Sequence, residues 1–212
     1  MKQIVGGSRM IRQFAGTITS FLVHDNIIAE EDREIYQYGT EQILINSSTL
    51  AVICIIAFCT NSWIQTVFWL CGMLPIRAVA GGYHANSPVK CNLLTVSVFI
   101  LNMVTINILK IYMTNYLLYT SLCLILFSII RFAPVDHKNK ELEQKEFLIA
   151  KKKSRIIGSV IFVSCSALEA NFGVSNIILI STMMGALTAS ISLIIGSIKR
   201  GGERNESDEC YS

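Results

Sequence analysis

The chain has 212 residues, 52% of them hydrophobic and 16% charged, with a formal net charge of +3. Soluble domains carry roughly 25% charged residues, and here the charge collects around Lys2–Glu41, Arg131–Arg155 and Lys199–Glu209, with long apolar stretches between. That pattern excludes a soluble core in favour of a membrane protein, and the net charge is too small to suggest a nucleic-acid partner.

The N-terminal region, 1–42, opens without a signal peptide, because Arg9 and Arg12 interrupt it before any apolar core and no small-residue cleavage pattern follows. Met10, Ile11, Phe14, Ala15, Ile18, Phe21 and Leu22 recur at three- and four-residue spacing, which predicts an amphipathic helix. Such a helix can lie in the membrane interface or pack against a helical bundle.

A spanning helix needs about 20 mostly apolar residues. Six stretches qualify: Ile43–Thr60, Trp63–Ala80, Asn92–Lys110, Ile111–Ile130, Ile156–Phe172 and Val174–Ile198. The expected fold is an all-α polytopic membrane bundle spanning 43–198, with a tail over 199–212. The third and fourth stretches abut, so a tight turn is expected near Lys110. Gly185, Ala186, Ala189 and Ser190 offer a small-residue packing face in the last span, which could also build a homodimer.

Orientation follows from the basic residues. The loop 131–155 holds eight Lys or Arg against four Asp or Glu, and Lys199, Arg200 and Arg204 flank the last span. Short loops rich in Lys and Arg stay cytoplasmic. An even number of spans separates the N-terminus, the segment 81–91, the basic loop and the C-terminus, so all four are expected on the cytoplasmic side of the cell membrane. The basic loop itself reads as a topology signal that attracts anionic lipid. Alternatively, Lys151, Lys152, Lys153 and Arg155 dock an acidic peptide.

The seven cysteines show no paired, loop-borne spacing. Five lie in apolar segments, where Cys acts as a small hydrophobe. The exceptions are Cys210 and Cys91. Cys91 closes the run Arg77-Ala-Val-Ala-Gly-Gly-Tyr-His-Ala-Asn-Ser-Pro-Val-Lys-Cys, which joins the second and third spans. On one straight helix His84 and Cys91 would share a face but stand about 10.5 Å apart in rise. Pro88 between them disfavours an unbroken helix, and Gly81 and Gly82 free the backbone just upstream. A bend could bring the imidazole to the sulfur, where it would favour the nucleophilic thiolate. Arg77 either snorkels to the interface or serves the site. His24 and His137 read as solvated, and the scattered His and Cys give no metal-ligand spacing.

The Arg77…Gly-Gly-Tyr-His-Ala…Cys91 run after two apolar spans resembles the accessory gene regulator B (AgrB) family of Gram-positive bacteria. Glu34-Ile-Tyr-Gln-Tyr-Gly-Thr looks like that family's pre-span signature, and Ala133-Pro-Val-Asp-His-Lys-Asn-Lys like the opening of its basic loop. Glu141 stands where the family often carries proline. The resemblance covers roughly 34–198. It implies a cofactor-free membrane cysteine endopeptidase that processes an AgrD-like precursor into a cyclic autoinducing peptide. In that reading Cys91 is the nucleophile, His84 the general base and Arg77 an arginine needed for activity. Family precursors tend to have acidic tails, which suits the docking reading of the basic loop. The competing reading is a non-catalytic transporter or export subunit. A transporter would place its polar groups near the bilayer midplane, whereas the polar cluster here lies at the cytoplasmic edge.

Overall fold

In lipid a backbone must satisfy its own hydrogen bonds, so apolar runs of this length become helices. The computed structural model describes residues 6–82, 88–135 and 144–209. Every regular element among them is helical: α1 Gly6–His24, α2 Arg33–Cys59, α3 Trp63–Ala80, α4 Pro88–Tyr112, α5 Asn115–Phe132, α6 Gln144–Phe172 and α7 Ile177–Glu209, with a single 3-10 turn at Glu30–Asp32. The six from α2 to α7 are long and apolar enough to cross a membrane. The all-α, six-span expectation holds.

Several boundaries move, each for a local reason. The break expected at Lys110 falls at Met113–Thr114, because Thr114 caps α5 by accepting the Leu117 N–H on its hydroxyl at 3.3 Å. The last span begins at Ile177 rather than Val174. Gly173, at φ 78°, ends α6, and Asn176 Oδ1 accepts the N–H groups of Ile178 and Leu179 at 2.9 and 3.3 Å. Residues 144–155, expected as loop, form the first turns of α6. Residues 199–209, expected as tail, continue α7.

The chain divides into two compact units, residues 1–60 with 85–99, and residues 61–84 with 100–212. In the first, α1 runs antiparallel to the start of α2. Arg33 donates to Ser20 Oγ at 3.0 Å, and Arg12 stands 3.7 Å from Glu41. Ala15 and Thr19 are fully buried, whereas Met10, Phe14 and Phe21 are 67%, 69% and 62% exposed. Of the apolar face expected from the spacing, Ala15 is therefore buried while its large members Met10, Phe14 and Phe21 point outward.

In the second unit α7 is the central element. It packs against α3, α5 and α6. The α3–α7 crossing brings backbone against backbone. A Cβ on Gly72 would run into the Thr182 carbonyl oxygen, and one on Gly185 into the Trp69 carbonyl oxygen. Ala186, Ala189 and Ser190 are buried alongside. The small-residue face offered for a homodimer is thus occupied within one chain. Ten residues farther along α3 from Gly72, Gly82 meets Ser192, which lies farther along α7 than the residues at the crossing, so the two helices run in the same direction. That is the direction required of the second and sixth spans of an alternating series.

Side-chain size follows the membrane rather than the aqueous rule. Large apolar groups such as Phe58, Leu101 and Phe127 face outward, at 72%, 65% and 61% exposure. Buried hydroxyls line the contacts and return their protons to the helix backbone: Ser121 to Leu117, Ser128 to Leu124, Ser154 to Ala150 and Ser181 to Ile177, all between 2.6 and 2.8 Å.

Gly72→Ala and Gly185→Ala are each expected to cost about 1–3 kcal/mol by overpacking the crossing. Gly39→Ala in α2, with nothing within 4 Å of its added Cβ, is expected to raise stability by about 0.5–1 kcal/mol. Thermal unfolding of the three variants in one detergent checks the order, and a crossing that tolerated both alanines would contradict the packing described.

Candidate active site

α3 ends where its sequence lets the backbone turn. Gly81 donates its N–H to the Arg77 carbonyl at 3.2 Å and adopts φ 75°, ψ −148°, a conformation open almost only to glycine. Gly82 follows at φ 153°. Both are hemmed in. The Val135 N–H donates to the Ala80 carbonyl at 2.9 Å. A Cβ on Gly81 would stand 2.8 Å from the Val135 carbonyl oxygen, and one on Gly82 2.8 Å from Ser192 Oγ. The pair is therefore needed twice over, for its dihedral angles and for its lack of side chains. Arg77 sits half-buried in the last turn of α3, where the negative end of the helix dipole favours a cation.

The turn leads toward His84, which lies outside the described residues. The chain is described again at Pro88, the first residue of α4. Proline suits that position, since the first N–H groups of a helix have no intrahelical acceptor. Cys91 follows in the first turn, half-buried, and its carbonyl accepts the Thr95 hydroxyl at 2.9 Å. The next residue, Asn92, donates to Ser48 Oγ on α2 at 3.4 Å. This long hydrogen bond ties the cysteine-bearing turn to the first span.

The basic residues stand on the first half of α6. Lys151 and Arg155, four apart, share a face. Lys152 and Lys153 fall about 100° and 200° around the helix from Lys151, so the four do not make one compact patch. Lys151 Nζ lies 5.9 Å from the centre of the Phe147 ring. At the opposite end of α6, Tyr119 donates to Glu169 at 3.1 Å.

Three groups around the site were not legible in advance: Val135, Ser192 and Asn92. The Ala133-Pro-Val run stood out as a motif, but its partner Gly81 is far away in sequence. Nothing in the pattern of α7 marks Ser192 apart from its other hydroxyl residues.

Comparison with known proteins adds a family. The accessory gene regulator B family model matches residues 15–193. An AgrB-like protein of Listeria innocua serovar 6a is 26% identical over 162 residues, covering 75% of this chain and 78% of its own. AgrB-like proteins of Clostridium perfringens are 26% identical over 193 residues (strain SM101; 85% of this chain and 88% of theirs) and 24% identical over 196 residues (strain 13; 87% and 90%). No solved structure gives a significant match.

Gly81→Ala is expected to lower stability by about 1–3 kcal/mol from backbone strain, and further from its contact with Val135. Gly173→Ala, also at positive φ but with open space around its Cβ, is expected to cost less. Equal losses in a thermal melt of the two variants would mean that the contact with Val135 contributes nothing.

Proposed function

We propose, from the premise that the chain belongs to the accessory gene regulator B family of the agr quorum-sensing system, that it is a membrane cysteine endopeptidase whose nucleophile is Cys91 and whose general base is His84. The observation that carries the reading is the Gly-Gly-x-His-x6-Cys run, with its cysteine in the first turn of α4. The positive end of the helix dipole there favours an anionic sulfur. Pro88 opens the helix that carries Cys91, so the base and the nucleophile need not share one straight helix.

The chemistry proceeds in two acyl transfers. His84 takes the Cys91 proton as the sulfur attacks the scissile carbonyl of an AgrD-like precursor. Collapse of the tetrahedral intermediate expels the C-terminal fragment as an amine, which receives the proton from the imidazolium, and leaves a thioester on Cys91. A thiol within the precursor then attacks that thioester. It closes a thiolactone ring and returns the proton and the free thiol to the enzyme. Where the ring residue is serine, the product is a lactone. A site at the membrane edge, partly shielded from water, favours this transfer over hydrolysis.

The basic start of α6 serves the same reaction. Lys151 and Arg155 on one face, with Lys152 and Lys153 adding charge elsewhere around the same turns, attract an acidic precursor tail. The same charges hold this end of the protein in the cytoplasm, together with both termini and the segment 81–91. A transport-only role would leave Cys91 without a chemical task.

Co-expression with an AgrD-like precursor, followed by mass spectrometry of the peptide, is expected to show C-terminal trimming by the wild type and none by Cys91→Ser or His84→Ala. Trimming by Cys91→Ser would sink the peptidase reading and favour transport. Neutralising Lys151, Lys152, Lys153 and Arg155 together is expected to raise the precursor's KM severalfold with kcat little changed. An unaltered KM would remove the docking role.

A further inference from the structure

The segment that leads toward His84 is held from two sides by elements that lie far from it in sequence. On one side is the backbone of Val135, which both donates to Ala80 and presents its carbonyl to Gly81. On the other is Ser192 of α7, whose hydroxyl oxygen lies 2.8 Å, and whose Cβ lies 3.6 Å, from where a Gly82 side chain would begin. All of these residues belong to one compact unit. The same α7 is fixed against α3 by the Gly72 and Gly185 contacts, so Ser192 cannot retreat without separating the two helices.

We propose that Ser192, with the Val135 backbone opposite, is a positioning residue for the segment that leads to the base. The side chain at 192 sets how closely α7 approaches Gly82, and thereby the direction in which residues 83 and 84 leave α3. The proposal rests on His84 being the base of Cys91. A methyl at Gly82 would enter the space of the Ser192 hydroxyl. The two positions are therefore predicted to be energetically coupled, although the sequence gives no sign of it.

The test uses the full chain in liposomes and N-ethylmaleimide as the probe, with the rate of alkylation at each cysteine read by peptide mass spectrometry between roughly pH 6 and 8, where a histidine titrates. Cys59 serves as reference and the fully buried Cys165 as a reporter of folding. In the wild type Cys91 reacts faster than Cys59, and His84→Ala removes the advantage. Gly82→Ala is expected to slow Cys91 about tenfold while Cys165 stays protected, because a misaimed base no longer assists the thiol. Adding Ser192→Ala to Gly82→Ala replaces the 2.8 Å contact with an ordinary one at 3.6 Å but leaves the strain of an alanine at φ 153°, and is expected to recover part of the lost rate, a coupling that independent sites do not show. Ser192→Thr, which keeps the hydroxyl and adds one methyl, is expected to shift the pH profile of Cys91 while leaving Cys165 protected. If Gly82→Ala leaves Cys91 unaffected, or if the double variant is as slow as the product of the two single effects, the positioning role is overturned while His84 remains the base. If His84→Ala changes nothing in the wild-type background, the base assignment fails and the positioning role fails with it.

Discussion

The contact between the backbones of α3 and α7 is the constraint on which the second unit depends. Helices in lipid gain nothing from hiding apolar surface from one another, since the lipid is equally apolar. They associate where small residues let backbones approach and dispersion contacts accumulate. Gly72 against Thr182 and Gly185 against Trp69 meet that condition. Once the crossing is fixed, α3 and α7 run side by side in one direction. The end of α3 then arrives beside Ser192 with no room for side chains, which is why its last helical residue is followed by two glycines. The opening of the segment 81–91 is thus a consequence of helix packing and not a separate device.

Much of this was written in the sequence, and the reason is physical. Six runs of apolar residues separated by charge specify six helices, because the bilayer permits little else. The Gly-Gly-x-His-x6-Cys run stood out because nothing about spanning a membrane calls for that combination. Helix ends were less legible. Thr114 acts through one capping hydrogen bond and Asn176 through two, which shift a boundary by a few residues without altering the hydrophobic pattern. The start of α6 was misread as loop because its lysines look like loop composition, although lysine is a good helix former.

Face assignments were the least legible feature. Periodicity marks the apolar stripe of α1, yet of that stripe only Ala15 is fully buried, together with Thr19, while Arg12 and Ser20 add polar ties to α2. In water the larger apolar face would be expected inward. Near a bilayer that expectation no longer holds, and the smallest side chains set the closest approach. The same logic explains why the small face of α7 is spent on α3 rather than on a second copy, and why Ser192 carried no signal: one hydroxyl residue among several on a helix acquires meaning only when its neighbour across the interface is known.

The proposed chemistry needs one sulfur, carried in the first turn of α4, and one imidazole, seven residues earlier in the chain, and in it the precursor passes through a thioester on Cys91. The most direct measurement is rapid acid quenching of the enzyme during turnover of an AgrD-like precursor, followed by peptide mapping. The account predicts that the peptide containing Cys91 carries the N-terminal portion of the precursor as an adduct released by hydroxylamine, and that the adduct forms and decays at rates compatible with turnover. Cleavage proceeding with no adduct on Cys91, or with the adduct on another cysteine, would contradict it.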